Sequence, residues 1–373
     1  MSSRKISRRC LVNKVIRVLH TEWSDGWGGQ EIRVINEMIA VREKGVEVFL
    51  ACRDHAIIKQ KAIENNIRVF VLPFRGNADL KTLFSLREII KEYSIDIVNT
   101  QSGKDTWVGG LAAKFAGAKF IRTRHLSIRI RSSRTNLINE LADYIFTTGE
   151  SVRTYMVKYN RINPEKIQSI PTGIDTDLFD PDKYNKQACR EQLNVQDDEI
   201  VIGIIAVLRR FKRHDLFLQM AKILIKQHPG KKLTFLIAGD GPQKSNIIDL
   251  INKLGLVENV KLLGHIDQVP ELLSAVDIFV LSSDSKEGVP QTIMQALLMD
   301  KAVVATNSGS TKDLFYEDNF QLVKTGSVTE LVNGVTWYIE NSGNNCDRAY
   351  IVKNFSKINM QEKIINVYNH ITK

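Results

Sequence analysis

A chain of 373 residues is too long for one ordinary hydrophobic core and fits two. With 43% apolar and 25% charged residues it reads as a soluble globular protein, and no apolar run reaches the roughly 18 residues of a spanning helix. The net charge of +10 makes anionic lipid or nucleic acid partners worth weighing, while four scattered cysteines (Cys10, Cys52, Cys189, Cys346) argue against structural zinc and a disulfide framework.

In chain order, Met1–Arg17 is basic but lacks the apolar core and cleavage site of a secretory signal, so a cytoplasmic protein is expected. Lys14–His20 predicts a buried strand. Glu31–Lys44 carries Ile32, Ile35 and Ile39 at helical spacing. Strands follow at Val46–Ala51 and Ile67–Leu72, a helix at Leu80–Tyr93 and a strand at Ile95–Asn99. Thr172–Asn185 is rich in Asp, Gly and Pro and breaks the pattern, which places a boundary there. The alternation resumes with strands Ile200–Val207, Leu233–Ala238, Val260–Leu263, Ile278–Ser282 and Ala302–Thr306. Between them lie helices His214–Gln227, Ser245–Leu254, Val269–Ala275 and Gln291–Met299. Asn359–Ile371 predicts a final helix. The expectation is an α/β chain of two doubly wound, Rossmann-like domains, 1–180 and 181–355, with 356–373 returning to the first.

Charge is uneven. Residues 1–180 hold 29 Lys and Arg against 20 Asp and Glu, so the first half carries nearly all the excess. This predicts either docking to an anionic membrane surface or simple solubility.

Several strand ends carry chemistry. Gly26-Trp27-Gly28-Gly29-Gln30-Glu31 follows the first strand and opens a helix. It serves either as a phosphate loop at a helix N-terminus or as a plain tight turn. Arg209-Arg210-Phe211-Lys212-Arg213 puts four cations in five residues past the first strand of the second domain, where α/β sheets bind ligands. Such groups can hold a departing diphosphate; the alternative is a solvated basic loop. Glu287-Gly288-Val289-Pro290 precedes a helix whose first amides can hold phosphate and whose carboxylate can accept from sugar hydroxyls. His125 ends a first-domain strand inside a basic run. Lys104 and Asp105 follow Ile95–Asn99 and form either an acceptor contact or a local ion pair.

These residues, in this order, make the chain resemble glycosyltransferase family 4, of the GT-B fold, over roughly Val15–Ile339. Asp277–Ser308 is the part most similar to the family's nucleotide-sugar signature. The resemblance implies two domains facing across a cleft and retaining transfer from a nucleotide diphosphate sugar. The acceptor would be a glycan or a lipid-linked sugar, as in cell-surface polysaccharide or lipopolysaccharide assembly. It places Gly28 and Gly29 against the donor phosphates. Arg209 and Lys212 match the diphosphate pair, Glu287 the first glutamate of E-x7-E, and His125 the histidine beside the donor sugar. The amides around Gly288, Val289, Gln291 and Thr292 lie near phosphate, and Arg124 joins Lys104 and Asp105 as an acceptor contact. The second glutamate of E-x7-E is replaced by Gln295, which predicts weaker or altered ribose binding. No cofactor is implied: Asp175-Thr176-Asp177 imitates a metal motif, but in the linker. The competing readings are a non-catalytic sugar-nucleotide-binding module and a nucleotide-sugar epimerase on the same fold. Nucleic acid would explain the pI of about 9.3 but not the Glu287 region, so none is expected.

Overall fold

The structure is a computed structural model that describes residues 14–125, 137–284, 287–341 and 346–373. The basic amino terminus with Cys10, and most of the basic run after His125, lie outside these residues.

The first sheet contains β1 (Arg17–Glu22), β2 (Glu47–Cys52), β3 (Arg68–Val71), β4 (Ile97–Thr100), β5 (Lys119–Arg124), β6 (Tyr144–Thr147) and β7 (Ile167–Ser169). Its order is β3-β2-β1-β4-β5-β6-β7. The second contains β8 (Ile200–Ile205), β9 (Leu233–Ala238), β10 (Val260–Gly264), β11 (Ile278–Leu281), β12 (Ala302–Thr306) and β13 (Gln321–Val323), ordered β10-β9-β8-β11-β12-β13. Neighbouring strands pair in parallel: Val18 pairs with both Val48 and Ile97, and Ile202 with both Phe235 and Ile278. This is the two-sheet, Rossmann-like architecture expected of the GT-B fold.

The strand order reverses between β1 and β4 in one sheet and between β8 and β11 in the other. Loops leaving those strands are where doubly wound sheets bind ligands. Four of the sequence motifs fall on them: Gly26–Gly29 after β1, Lys104 after β4, Arg209–Arg213 after β8 and Glu287 after β11.

The second sheet is buried on both faces because its strands alternate. Ile202, Ile204, Phe235, Ile237, Val280 and Val304 face the helices His214–Gln227, Lys244–Leu254 and Val328–Asn341. Phe279, Leu281, Val303 and Ala305 face the other way, onto Ile293, Met294 and Leu297 of Gln291–Leu298 and onto Ile351 and Phe355. A strand buried on both faces reads as a continuous apolar run, which is why these elements are visible in the sequence.

Packing divides the described residues into two compact units, those up to 122 with 365–373, and those from 123 to 364. The division falls inside β5. In the first unit, Tyr368 of the last helix (Lys357–Thr372) is buried against Arg33 and Glu37 of the helix Gly29–Arg42 and against Asn99 of β4. Among the described residues no helix is long and apolar enough to cross a membrane.

Candidate functional site

The second unit assembles its site from three strand ends. Beyond β8, the Ala206 amide bonds the Ala238 carbonyl and the Leu208 amide bonds that of Asp240, both at 3.0 Å. This ties the segment to the Gly239-Asp240-Gly241 turn and buries Leu208. Arg209 and Arg210 emerge exposed, and a single 3-10 turn, Arg210–Lys212, follows. Arg213 then takes a left-handed conformation and starts the helix His214–Gln227.

The four cations separate in role. Arg213 grips Asp215 with two bonds, 2.9 and 2.8 Å long, and lies 3.6 Å from Asp284. That fork holds the turn together. Lys212 turns inward, and its Nζ lies 2.5 Å from Glu287 Oε1, with both side chains largely buried. Arg209 projects to solvent beside that pair in sequence.

The loop after β11 clamps the basic turn from below. Ser282 Oγ lies 2.9 Å from the carbonyls of both Lys212 and Arg213, and the Asp284 amide donates to the Phe211 carbonyl at 2.9 Å. At the end of β12, Thr306 Oγ1 donates to the Leu281 carbonyl at 3.2 Å. Gly309 follows with φ +57°, and a Cβ there would stand 2.0 Å from the Glu287 carbonyl oxygen. Only a glycine lets the Glu287 peptide sit where it does. Sequence reasoning missed Gly309; the available signal was the turn-like Asn307-Ser308-Gly309-Ser310 directly after a strand.

His125 and Gly288 meet in this unit. His125 is buried at the end of β5, and its carbonyl accepts from Thr148 Oγ1 at 3.2 Å. A Cβ on Gly288 would lie 3.0 Å from that same carbonyl, so the Glu287-Gly288 peptide packs directly on the His125 backbone. The backbone carbonyl of half-buried Arg124 accepts from the Thr148 amide at 3.1 Å.

Pro290 caps the helix Gln291–Leu298 in an extended conformation. Ile293, Met294, Ala296 and Leu297 are buried on one side, while Gln291, Thr292 and Gln295 are only half-buried on the other. Gln291 and Gln295 share a face one turn apart. The amides that open a helix have no intrahelical acceptor, which suits such a position to an anion. His214, which sequence reasoning also missed, is buried next to Lys212. Burial first, then the Lys212 charge, lowers its pKa to about 4, and its Nε2 finds no hydrogen-bond partner among the described residues.

In the first unit, the glycine loop leaves β1 and enters the helix Gly29–Arg42 with Gly28 at the cap position. Lys104 is exposed, with Nζ 3.6 Å from the Trp23 ring centroid, and Arg53 stacks on the same ring at 5.1 Å. Trp23 is itself pinned by its indole N–H to the Phe74 carbonyl at 2.9 Å. Asp105 is wholly buried and accepts from the Gln101 and Ser102 amides and the Thr21 and Ser102 hydroxyls. Asp175 of the D-x-D sequence receives the amides of Asp177 and Leu178 at 3.0 Å and so organises a turn. No group of three His, Cys, Asp or Glu side chains among the described residues is placed to hold a metal ion.

Comparison with known proteins matches both halves. The family model described as Glycosyltransferase Family 4 covers residues 27–178, and that of Glycosyl transferases group 1 covers residues 185–357. The chain is 23% identical over 378 residues to the UDP-Gal:alpha-D-GlcNAc-diphosphoundecaprenol alpha-1,3-galactosyltransferase of Escherichia coli, covering 95% of this chain and 96% of that one. It is 26% identical over 299 residues to the putative glycosyltransferase EpsF of Bacillus subtilis, covering 75% and 76%. Among solved structures, a glycosyltransferase from Rickettsia africae superposes with a TM-score of 0.85 at 21% identity, over 96% of this chain and 99% of that one. Anabaena HepE in complex with UDP gives 0.84 at 19% identity, over 95% and 100%.

Proposed function

The chain belongs to the family 4-like glycosyltransferases of GT-B fold, and from that premise we propose that it transfers a sugar, with retention, from a nucleotide diphosphate donor to a glycan or lipid-linked acceptor. The observation that carries the reading is the Lys212–Glu287 pair, 2.5 Å long, at the carboxyl ends of β8 and β11. It sets a cation suited to a diphosphate beside a carboxylate suited to sugar hydroxyls, at a topological switch point.

In this reading Arg209, Lys212 and the amides of Val289, Gln291 and Thr292 hold the donor diphosphate. Gly28 and Gly29 meet its phosphates, as the family resemblance implies. Glu287 and His125 contact the donor sugar, and Gln295 the ribose. The bond between the anomeric carbon and the β-phosphate oxygen breaks as the acceptor oxygen bonds to that carbon from the same face. The acceptor's proton passes to the leaving diphosphate oxygen, so no separate carboxylate base is required. Charge growing on the diphosphate is met by fixed cations and amides, which need little reorganisation during the step. One Arg and one Lys side chain thus supply the charge neutralisation, and neither metal nor cofactor is invoked. Domains 1–180 and 181–355 divide acceptor from donor recognition, and residues 356–373 return to the first. Lys104 and Arg124 are the proposed acceptor contacts, with Asp105 supporting their loop from within.

The Escherichia coli relative is named for a UDP-galactose donor and a lipid diphosphate acceptor, and two O-antigen biosynthesis glycosyltransferases match about half of the chain. These names favour a UDP-sugar, a lipid-linked acceptor and cell-surface polysaccharide or lipopolysaccharide assembly. The acceptor and the basic first half together favour work at the cytoplasmic face of an anionic membrane. NMR of the product formed from an α-configured UDP-sugar tests retention: an α-linked product is expected, and a β-linked one would overturn the proposed stereochemistry.

Gln295 sets a second test. A neutral amide accepts one ribose bond, where a carboxylate accepts two with charge assistance, a difference of about 1 kcal/mol. Gln295→Glu is therefore expected to lower the donor KM about fivefold with little change in kcat. Steady-state kinetics over donor concentration measures this, and an unchanged KM would remove Gln295 from the ribose site.

A further inference from the structure

The glycine loop of the first unit rests on a buried carboxyl group that the proposed transfer chemistry does not use. Glu22 is the last residue of β1 and is wholly buried. The Ser24 amide donates to its Oε1 at 2.8 Å, and the Gln30 side-chain amide lies 2.6 Å from its Oε2. Ser24 Oγ in turn accepts from the Gly26 amide at 3.2 Å. One carboxyl group thus brackets the loop, holding its first turn on one oxygen and the opening turn of the following helix on the other.

The surroundings of this buried carboxyl group indicate which form it takes. Glu22 faces Asp105 from the helix Asp105–Ala116, Glu31 from its own following helix and Cys52 of β2. Burial raises Asp105 too, but it accepts from four donors on Thr21, Gln101 and Ser102 where Glu22 accepts from two, and Arg122 of β5 faces it, so the single negative charge of the pair settles there. Burial first, and then Asp105, push the Glu22 carboxyl up to about 8.

We propose that Glu22 is the positioning residue of the Gly26–Gly29 loop and works as the neutral acid, clamping Ser24 and Gln30 while adding no negative charge beneath an anion-binding loop. This rests on the reading that Gly28 and Gly29 meet the donor's phosphates. It makes nucleotide binding pH-gated. Below about 8 the loop is held by a neutral group; as pH rises through that value Glu22 ionises and opposes the diphosphate. The sign for stability is the same: a carboxyl raised in the folded state stabilises the fold at low pH and loses that contribution as pH rises through its folded value.

The test titrates UDP, with GDP and ADP in parallel, into the full chain at pH values on either side of 8, using wild type, Glu22→Gln and the Arg209→Ala/Lys212→Ala double variant. Wild-type affinity is expected to fall roughly tenfold across that range, while Glu22→Gln stays flat. Melting temperatures in the same buffers should follow suit, with the wild type losing stability and Glu22→Gln not. A structural role alone would move neither profile. If Glu22→Gln does not fold, Gln30→Leu removes a donor to the Glu22 carboxylate and should shift the transition to higher pH; an unmoved midpoint would count against the inference. Parallel pH curves in wild type and Glu22→Gln, with binding lost in the double variant, would overturn the inference and leave the donor reading standing. No nucleotide binding by the wild type at any pH would overturn the donor reading and the anion role of the loop together.

Discussion

Arg209→Ala combined with Lys212→Ala is expected to weaken binding of the nucleotide diphosphate by roughly 10² to 10⁴-fold. Each side chain makes a charge-assisted contact to phosphate worth about 1.5–3 kcal/mol, and tenfold in affinity corresponds to about 1.4 kcal/mol. The two residues do not contribute in the same way. Arg209 is exposed, so its removal touches binding and leaves the fold intact. Lys212 is paired with Glu287 in a largely buried site, and its loss leaves a buried carboxylate without its cation. Such a change costs about 3–5 kcal/mol of stability unless the partner is also neutralised. Arg209→Ala alone therefore isolates the binding term, and Lys212→Ala/Glu287→Gln separates binding from stability. Calorimetric titration of the nucleotide, with unfolding followed in parallel, reads both. Unchanged affinity in the folded double variant would remove the diphosphate from this loop.

Gly309→Ala should be the most damaging single substitution outside the proposed contacts. The added Cβ would stand 2.0 Å from the Glu287 carbonyl oxygen and 2.8 Å from its carbon. Ordinary contact requires the Glu287 peptide to retreat by about 1 Å or more. Glu287-Gly288 also packs on the His125 carbonyl, so the displacement is passed to a second proposed sugar contact. A misplacement of that size costs on the order of 10² in kcat/KM, while strain at positive φ and overpacking cost about 2–4 kcal/mol of stability. Gly326→Ala is the control. Its φ of +76° is equally unfavourable for alanine, but nothing lies within 4 Å of the added carbon. It should lose stability without losing activity. Equal activity losses in the two variants would show that Gly309 matters only for backbone strain.

The legible and illegible parts of this protein divide by physical cause. β9, β12 and the helices His214–Gln227 and Val269–Ala275 have the bounds that their apolar patterns predict, because burial on a sheet or helix face imposes the pattern. β1 runs to Glu22 rather than ending at His20, since its last residues are polar yet buried, a combination that reads as a loop. β6, β7 and β13 have only three or four residues, too few to establish a period. The helix Asp105–Ala116 is disguised by Gly109 and Gly110, which are glycines because Thr100 and Phe120 press against them. Within the site, Arg209, Lys212 and Glu287 are visible as residue types at strand ends. The pairing of Lys212 with Glu287 is not, because 75 residues separate them and only the adjacency of β8 and β11 joins them. Gly309 and Glu22 escape notice for a related reason: one acts through a missing side chain and the other from below the loop it holds.

The central claim is transfer, as distinct from binding or rearrangement of the donor. Its most direct measurement counts nucleoside diphosphate released and sugar transferred when the full chain is given a UDP-, GDP- or ADP-sugar, with and without a lipid-linked sugar acceptor. The account predicts one nucleoside diphosphate released for each sugar joined to the acceptor, and little release without it. Conversion of the donor into another nucleotide sugar with no acceptor present, or tight binding with no consumption under any condition, would contradict it.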